Sequence, residues 1–344
     1  MEGNASITAS ATRSDPISET VFYMASVVWR VCVDPPLCLC SIVLNIINCL
    51  VFYRVGLKDG VTAIFMLISI SDCLLGFFGT VGGICSTVRY LGPHSVRRSA
   101  KTIYTFVLFF IGTTSNVSMY ATLDIAVVRW FSVAMPLSVK TVMTTRRQLL
   151  AILFLSITSF FAKAFALSNF RVVPVLDPTT NVTQLELVLS PNFRERVAVL
   201  DGHQSVTFSL SFVIMAVCLF LLLVALKRSS KFLSQGLTDA SNNQDRPTPS
   251  VFARRARRRE AQVIKVVVLV IAVFLVCNLP IVVLSIIRLI IPEFRRYGNL
   301  GRSFEMLFML GEMAYYINSS VNIFIYYFCN SNYRKVFKLM FGRE

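Results

Sequence analysis

The chain has 344 residues, of which 55% are hydrophobic and 15% charged, well short of the roughly 25% charge of a soluble domain. Its apolar residues sit in long blocks separated by short polar stretches, a membrane pattern that excludes an ordinary soluble core. The formal charge of +16 invites nucleic-acid binding through Arg254, Arg255, Arg257, Arg258 and Arg259, but no zinc spacing or RNA-binding signature accompanies that run, and Lys and Arg clusters are ordinary on the inner side of membrane helices.

Taken in chain order, residues 1–24 form a tail that lacks the basic start and apolar core of a cleavable signal, so the first apolar block is expected to export it. A span needs about 20 largely apolar residues, and seven stretches qualify: Ala25–Tyr53, Thr62–Val88, Thr102–Phe131, Gln148–Ser168, Ser205–Leu226, Ala261–Ile291 and Phe304–Phe328. Arg30, Asp34, Pro35 and Pro36 interrupt the first. Arg30 and Asp34, four residues apart, share a helical face and are expected to pair. The connection 227–259 has the Ser, Asn, Gln, Asp and Pro content of a flexible linker. Residues 329–344 end in a run, Asn332–Phe341, whose basic and apolar residues alternate at helical spacing, as in a helix lying on a membrane surface. The predicted fold is an all-α membrane protein: a seven-transmembrane helix bundle over 25–328 with a short amphipathic eighth helix.

With the amino terminus outside, the inner connections hold nineteen basic residues and the outer ones eleven, which favours a cytoplasmic carboxyl terminus. Glycosylation sequons at Asn4 and Asn181 fall on the outer side, whereas those at Asn116 and Asn318 fall within spans. Seven of the nine cysteines lie in apolar blocks and no C-x-x-C pair occurs, so a metal or redox motif is not expected. Hydrolase chemistry has little support, because the chain holds only two histidines, His94 and His203.

Residues inside the spans narrow the reading. Asn45 stands 27 residues before Asp72; Val128-Arg129-Trp130 is followed by Pro136; the sixth span reads Phe274-Leu275-Val276-Cys277-Asn278-Leu279-Pro280; the seventh reads Asn318-Ser319-Ser320-Val321-Asn322-Ile323-Phe324-Ile325-Tyr326. In this order the set resembles the rhodopsin-like (class A) G-protein-coupled receptors, with their D/E-R-Y, F-x-x-C-W-x-P and N-P-x-x-Y motifs, and Tyr333, Arg334 and Phe337 match their eighth helix. The turn Gly56-Leu57-Lys58-Asp59-Gly60 and the Asn-Ser-Ser-x-Asn-Ile ending are most similar to the molluscan chemosensory receptor group. Val128, Asn278 and Ile323 depart from the family residues. Tyr104 stands where the family places a disulfide cysteine, and 169–203 contains none, so that loop is expected to be held by other contacts and to be more mobile.

The resemblance implies a plasma-membrane receptor, not an enzyme, that binds an extracellular small polar cue or short peptide and activates a heterotrimeric G protein. Arg129, Glu260, Asn322, Tyr326 and Pro280 would serve coupling and activation: Glu260 is either the partner of Arg129 or a solvated acid, and Pro280 removes a backbone hydrogen bond where the sixth helix would bend. Asp72, an ionisable group inside a span, would sit with Ser118, Asn318, Ser319 and Asn322, holding either an allosteric sodium ion or a water-linked polar cluster. No other cofactor is implied. For the ligand the candidates are Ile111, Ser115, Lys163, Arg288 and Glu312. Ile111 replaces the aspartate of amine receptors. Arg288 beside Glu312 would suit a ligand bearing both charges, unless Lys163 and Arg288 instead snorkel to the outer interface. A membrane transporter or a ligand-gated channel subunit is the rival function, but neither duplicated halves nor a ring of acids along one span is visible.

Overall fold

A computed structural model of the protein describes residues 14–57, 60–135, 139–168, 170–191, 193–242, 251–291, 293–296 and 298–342. Its long helices, in chain order, are α1 (Glu19–Val55), α2 (Gly60–Leu91), α3 (His94–Ala134), α4 (Thr145–Leu167), α5 (Phe193–Asn242), α6 (Val251–Ile290) and α7 (Gly301–Cys329); the shorter α8 (Ser331–Phe341) follows. Strands β1 (Phe170–Asp177) and β2 (Val182–Leu189) form an antiparallel hairpin between α4 and α5. One end of the bundle carries this hairpin and the start of α1; the other, the tail end, carries α8.

Packing closes a ring. Neighbours in sequence pack against one another from α1 to α7, α7 returns to α1, and α3 also contacts α5 and α6, which makes it the central pillar. Large apolar side chains such as Phe154, Phe161, Phe220 and Val276 are exposed on the outside, whereas Ser41, Asn45, Asn48 and Asp72 are buried. This inversion of the soluble pattern suits a bundle whose outer surface faces hydrocarbon.

Local chemistry sets the ends and irregularities. Pro35 and Pro36 lack amide donors and crowd the preceding turn; just before them α1 widens into a π turn over Val28–Val33, where Asp34 N–H reaches the Trp29 carbonyl. The wide turn carries Arg30 into the interior. Gly56, at φ 92°, ends α1 in a conformation that glycine adopts without strain. Asn330 caps α8, its side-chain oxygen accepting from the amides of Asn332 and Tyr333 at 3.1 Å each. The first described residues clasp α7: Asp15 accepts from Arg302 N–H at 2.8 Å and from Ser303 N–H and Oγ–H at 3.1 and 2.7 Å.

All seven predicted spans are helices, while some helix bounds and the connection 227–259 need correction. Among the described residues six helices meet the length and apolarity of a span, and α7 is not one of them. Its 29 residues reach about 43 Å at 1.5 Å per residue, but Glu305, Glu312, Asn318, Ser319 and Asn322 dilute its hydropathy because they face the interior, all but Glu305 being buried. α3 and α5 begin eight and twelve residues before the predicted spans Thr102–Phe131 and Ser205–Leu226, adding polar turns that hydropathy does not register. The expected linker 227–259 is largely helical: α5 continues to Asn242 and α6 starts at Val251, in a stretch rich in the strong helix formers Ala, Arg and Glu. Residues 243–250 and the sequon at Asn4 lie outside the described residues.

Candidate functional site

Three regions along the bundle hold the expected residues. At the hairpin end, α3 to α7 enclose a cavity of about 830 Å³ whose wall includes all five ligand candidates: Ile111, Ser115, Lys163, Arg288 and Glu312. Leu108, Phe109, Leu284, Phe304 and Phe308 make much of the remainder apolar, as in small-molecule sites generally. A second cavity of about 470 Å³ adjoins it around Arg30, Arg89, Lys101 and Arg302; both border Thr105, Arg296 and Asn299.

The charges in this region are paired differently from the sequence expectation. Arg288 does not join Glu312; it binds Asp201 at 3.0 Å. Glu312 accepts instead from Arg30 at 3.0 Å, and Arg30 also reaches Glu305 at 3.7 Å and the Tyr104 hydroxyl. Arg30 therefore does not form its ion pair with Asp34, whose Oδ1 is buried without a hydrogen-bond partner among the described residues. Opposite charge on a distant helix outcompetes the neighbour four residues away because the π turn directs Arg30 across the bundle toward α7. Neither Lys163 nor Arg288 snorkels: Lys163 is 8% exposed, and the Arg288 side chain is 11% exposed against Asp201. Asp201 was missed because it lies one turn outside the apolar block; an acid four residues before Ser205, on the same helical face, was the available signal.

Mid-bundle, Asp72 accepts from Asn322 Nδ2–H at 3.1 Å. Ser118 faces the Asp72 carboxylate, but its Oγ is outside hydrogen-bonding geometry and has no partner among the described residues. Ser319 Oγ is engaged elsewhere, bonded to Ser41 and accepting from Asn45 Nδ2–H at 3.1 Å, and Ser41 Oγ–H donates to the Asp72 carbonyl at 3.2 Å. Asn318 is buried nearby on α7. Of the expected oxygen set, Asp72 and the orphaned Ser118 hydroxyl are placed to hold a small hard cation; Ser319 belongs to the α1–α7 link, and Asn322 already serves the carboxylate through its amide N–H.

Toward the tail end, Arg129 is half-buried on α3. Tyr326 is fully buried, with ring centroids 5.0 Å from Phe52, 4.9 Å from Phe65 and 5.7 Å from Tyr333. Tyr333 O–H donates to Asn48 Oδ1 at 2.7 Å, which fastens α8 to α1. Pro280 lies inside α6, and Asn278 Nδ2–H donates to the Phe274 carbonyl at 2.8 Å one turn earlier. The Glu260 side chain lies outside the described residues.

The family model of the seven-transmembrane receptors (rhodopsin family) matches residues 44–326, well over half of the chain. The chain belongs to that family. It is thus a multi-pass membrane protein, a non-enzymatic receptor of the class that signals through heterotrimeric G proteins. Within this receptor the usual tether of the second loop is missing: the nine cysteines are all free. A polar clamp takes its place. Gln184 Oε1 accepts from Arg98 N–H at 3.1 Å, while its Nε2–H donates to the His94 carbonyl at 3.1 Å and to Asp177 Oδ2 at 2.9 Å. Thr102 Oγ–H donates to the Leu185 carbonyl at 2.9 Å, Leu185 N–H donates to Ser99 Oγ at 3.0 Å, and His94 Nδ1 lies 3.1 Å from Asp177. The expected other contacts are these.

Proposed function

We propose that this receptor resides in the plasma membrane with its amino terminus and hairpin outside, takes a small polar cue or short peptide into the hairpin-end cavity, and passes the signal to a G protein around Arg129. The observation that carries the reading is the convergence of Ile111, Ser115, Lys163, Arg288 and Glu312 on one cavity of about 830 Å³ beneath a docked hairpin. Ligand binding there would bias a pre-existing equilibrium toward a state in which α6, interrupted at Pro280, opens the inner face. Asn322 and Tyr326 stand between the Asp72 cluster and α8, and Glu260 is the proposed restraint on Arg129. The Gly56–Gly60 turn and the Asn-Ser-Ser-x-Asn-Ile ending support a chemosensory role of the molluscan kind, and the outward sequons at Asn4 and Asn181 support a glycoprotein. Asn181 is exposed at the hairpin turn.

The test is expression with a promiscuous G protein and a calcium reporter, with cells challenged by amino acids, short peptides and odorant mixtures. A ligand-evoked calcium signal that vanishes without the G protein is expected. Ligand-evoked current or uptake that persists without it would mark a channel or transporter instead.

A further inference from the structure

Lys163 is a buried cation with no counter-ion. It projects from α4 toward α3, and no acid lies within ion-pair distance of it among the described residues. Among the described residues its hydrogen-bond partner is Asn116: in the amide orientation that satisfies its neighbours, Oδ1 accepts from Lys163 Nζ–H at 3.1 Å and also from Ser159 Oγ–H. Room for the ammonium is provided by Gly112, where a Cβ would stand 2.9 Å from Nζ. A charge placed within a membrane span without a partner is expensive, and such groups mark ligand or ion sites.

The other cations of the cavity wall each have an acid within ion-pair distance. Asp201 lies 3.0 Å from Arg288 and 3.9 Å from Arg295, and Glu312 is neutralised by Arg30; Arg296 pairs with Glu305. Glu293 is exposed to solvent. Lys163 is the cation of the wall with no such acid among the described residues, and it borders both the main cavity and a narrow crevice lined by His203, Gln204 and Thr207 of α5. The rest of the cavity is largely apolar.

We infer that the ligand is a monoanion with an apolar body, whose carboxylate pairs with Lys163 between α3, α4 and α5 while its apolar part fills the cavity toward Phe304 and Phe308. This rests on the receptor reading above. At the Lys163 end of the cavity a single ammonium faces the ligand, which a single carboxylate matches more closely than a dianionic phosphate. That carboxylate can belong to a small organic acid or to the free end of a short peptide, and these share the same chemistry at Nζ.

The decisive experiment uses the purified full-length receptor in nanodiscs and a set of alkyl and arylalkyl monocarboxylates of four to ten carbons, each with its matched amide, amine and phosphonate. Di- and tripeptides with free or amidated carboxyl ends complete the set. At least one acid should raise the Tm in a concentration-dependent way while its amide and amine do not. Whether the active member is a small acid or a peptide identifies the source. Lys163→Met should weaken that response about tenfold or more, the loss expected for one charge-assisted contact. The same substitution should leave the ligand-free Tm equal to or above that of the wild type, because it removes a buried unpaired charge. A purely structural Lys163 would lower it.

The inference is overturned if no acid of the set shifts Tm, if acid and amide act equally, or if Lys163→Met keeps the shift. Nucleotide exchange on an added G protein separates the two readings. A Lys163-dependent Tm shift without exchange sinks the receptor mechanism and keeps the anion site. Exchange driven equally by acid and amide does the reverse.

Discussion

Asp72 is a carboxylate in the middle of a bundle whose outer surface is hydrocarbon-facing, and a single N–H, from Asn322, reaches it with good geometry. The Ser118 hydroxyl facing it has no partner in hydrogen-bonding geometry among the described residues, and a buried hydroxyl left unmatched costs about 1–3 kcal/mol. A sodium ion between the two would satisfy both at once, supplying positive charge to the carboxylate and an acceptor-seeking centre to the hydroxyl oxygen. If that ion favours the resting arrangement, raising sodium should lower agonist affinity about fivefold or more, the lower end of ordinary allosteric coupling. Asp72→Asn is nearly isosteric and removes the charge, so radioligand competition on that variant should show no sodium dependence. An unchanged sodium effect in Asp72→Asn would leave the cluster as a hydrogen-bonded knot with no ion. The residue types and their order along the chain were legible here from sequence. The division of labour was not: that Ser319 turns to Ser41 and Asn45 instead of Asp72 depends on the relative rotation of α1 and α7, which no spacing encodes.

At the scale of elements, the apolar runs identified the helices because every backbone group in a membrane must be paired within its own segment. The hairpin escaped notice because its strands are short and β1 contains Pro174, tolerated in a two-stranded sheet where edges are free. Its docking also depends on contacts with residues about 85 to 90 positions earlier in the chain. The clamp has a pH signature. Hydrogen bonds from the Thr179 side chain and amide, followed by the charges of His94 and Arg98, hold the Asp177 carboxyl down to about 2. That carboxylate is covered by neighbouring polar groups without being sunk in the apolar interior. A depressed carboxyl stabilises above its unfolded value, near 3.9, and the contribution disappears as pH falls through the folded value. Docking should therefore hold from neutral pH to about 4 and loosen toward 2. A spin label at Val182→Cys on the exposed start of β2 would report this as motional narrowing at low pH. Gln184→Ala, which deletes three hydrogen bonds of a fully buried side chain, should give the mobile spectrum already at neutral pH. A label that stays immobilised in Gln184→Ala would mean that the Ser99 and Thr102 contacts, with the Arg98–Glu186 ion pair at 3.3 Å, suffice.

The whole molecule is tied at the hairpin end by one residue that the sequence placed wrongly. Arg30 reaches Glu312 and Glu305 on α7 and Tyr104 on α3, so a single guanidinium joins the first, third and last spans, across 282 residues in the longest case. Sequence reading paired it with Asp34 because local spacing is visible in a string and a crossing between distant helices is not. Breaking a buried pair from one side leaves an uncompensated charge, a loss of about 3–5 kcal/mol, whereas replacing both partners by apolar groups of similar volume is often neutral or better. Arg30→Met should therefore lower the Tm of the purified receptor sharply and reduce its yield at the cell surface. Arg30→Met with Glu312→Met should recover most of that loss. Glu305 is provided for in the double variant because Arg296 already pairs with it. Glu312→Met alone should do less damage than Arg30→Met alone, since Arg30 keeps Glu305 and Tyr104. If the two single losses simply add in the double variant, the pair is not a coupled unit and the three spans are held together by packing alone.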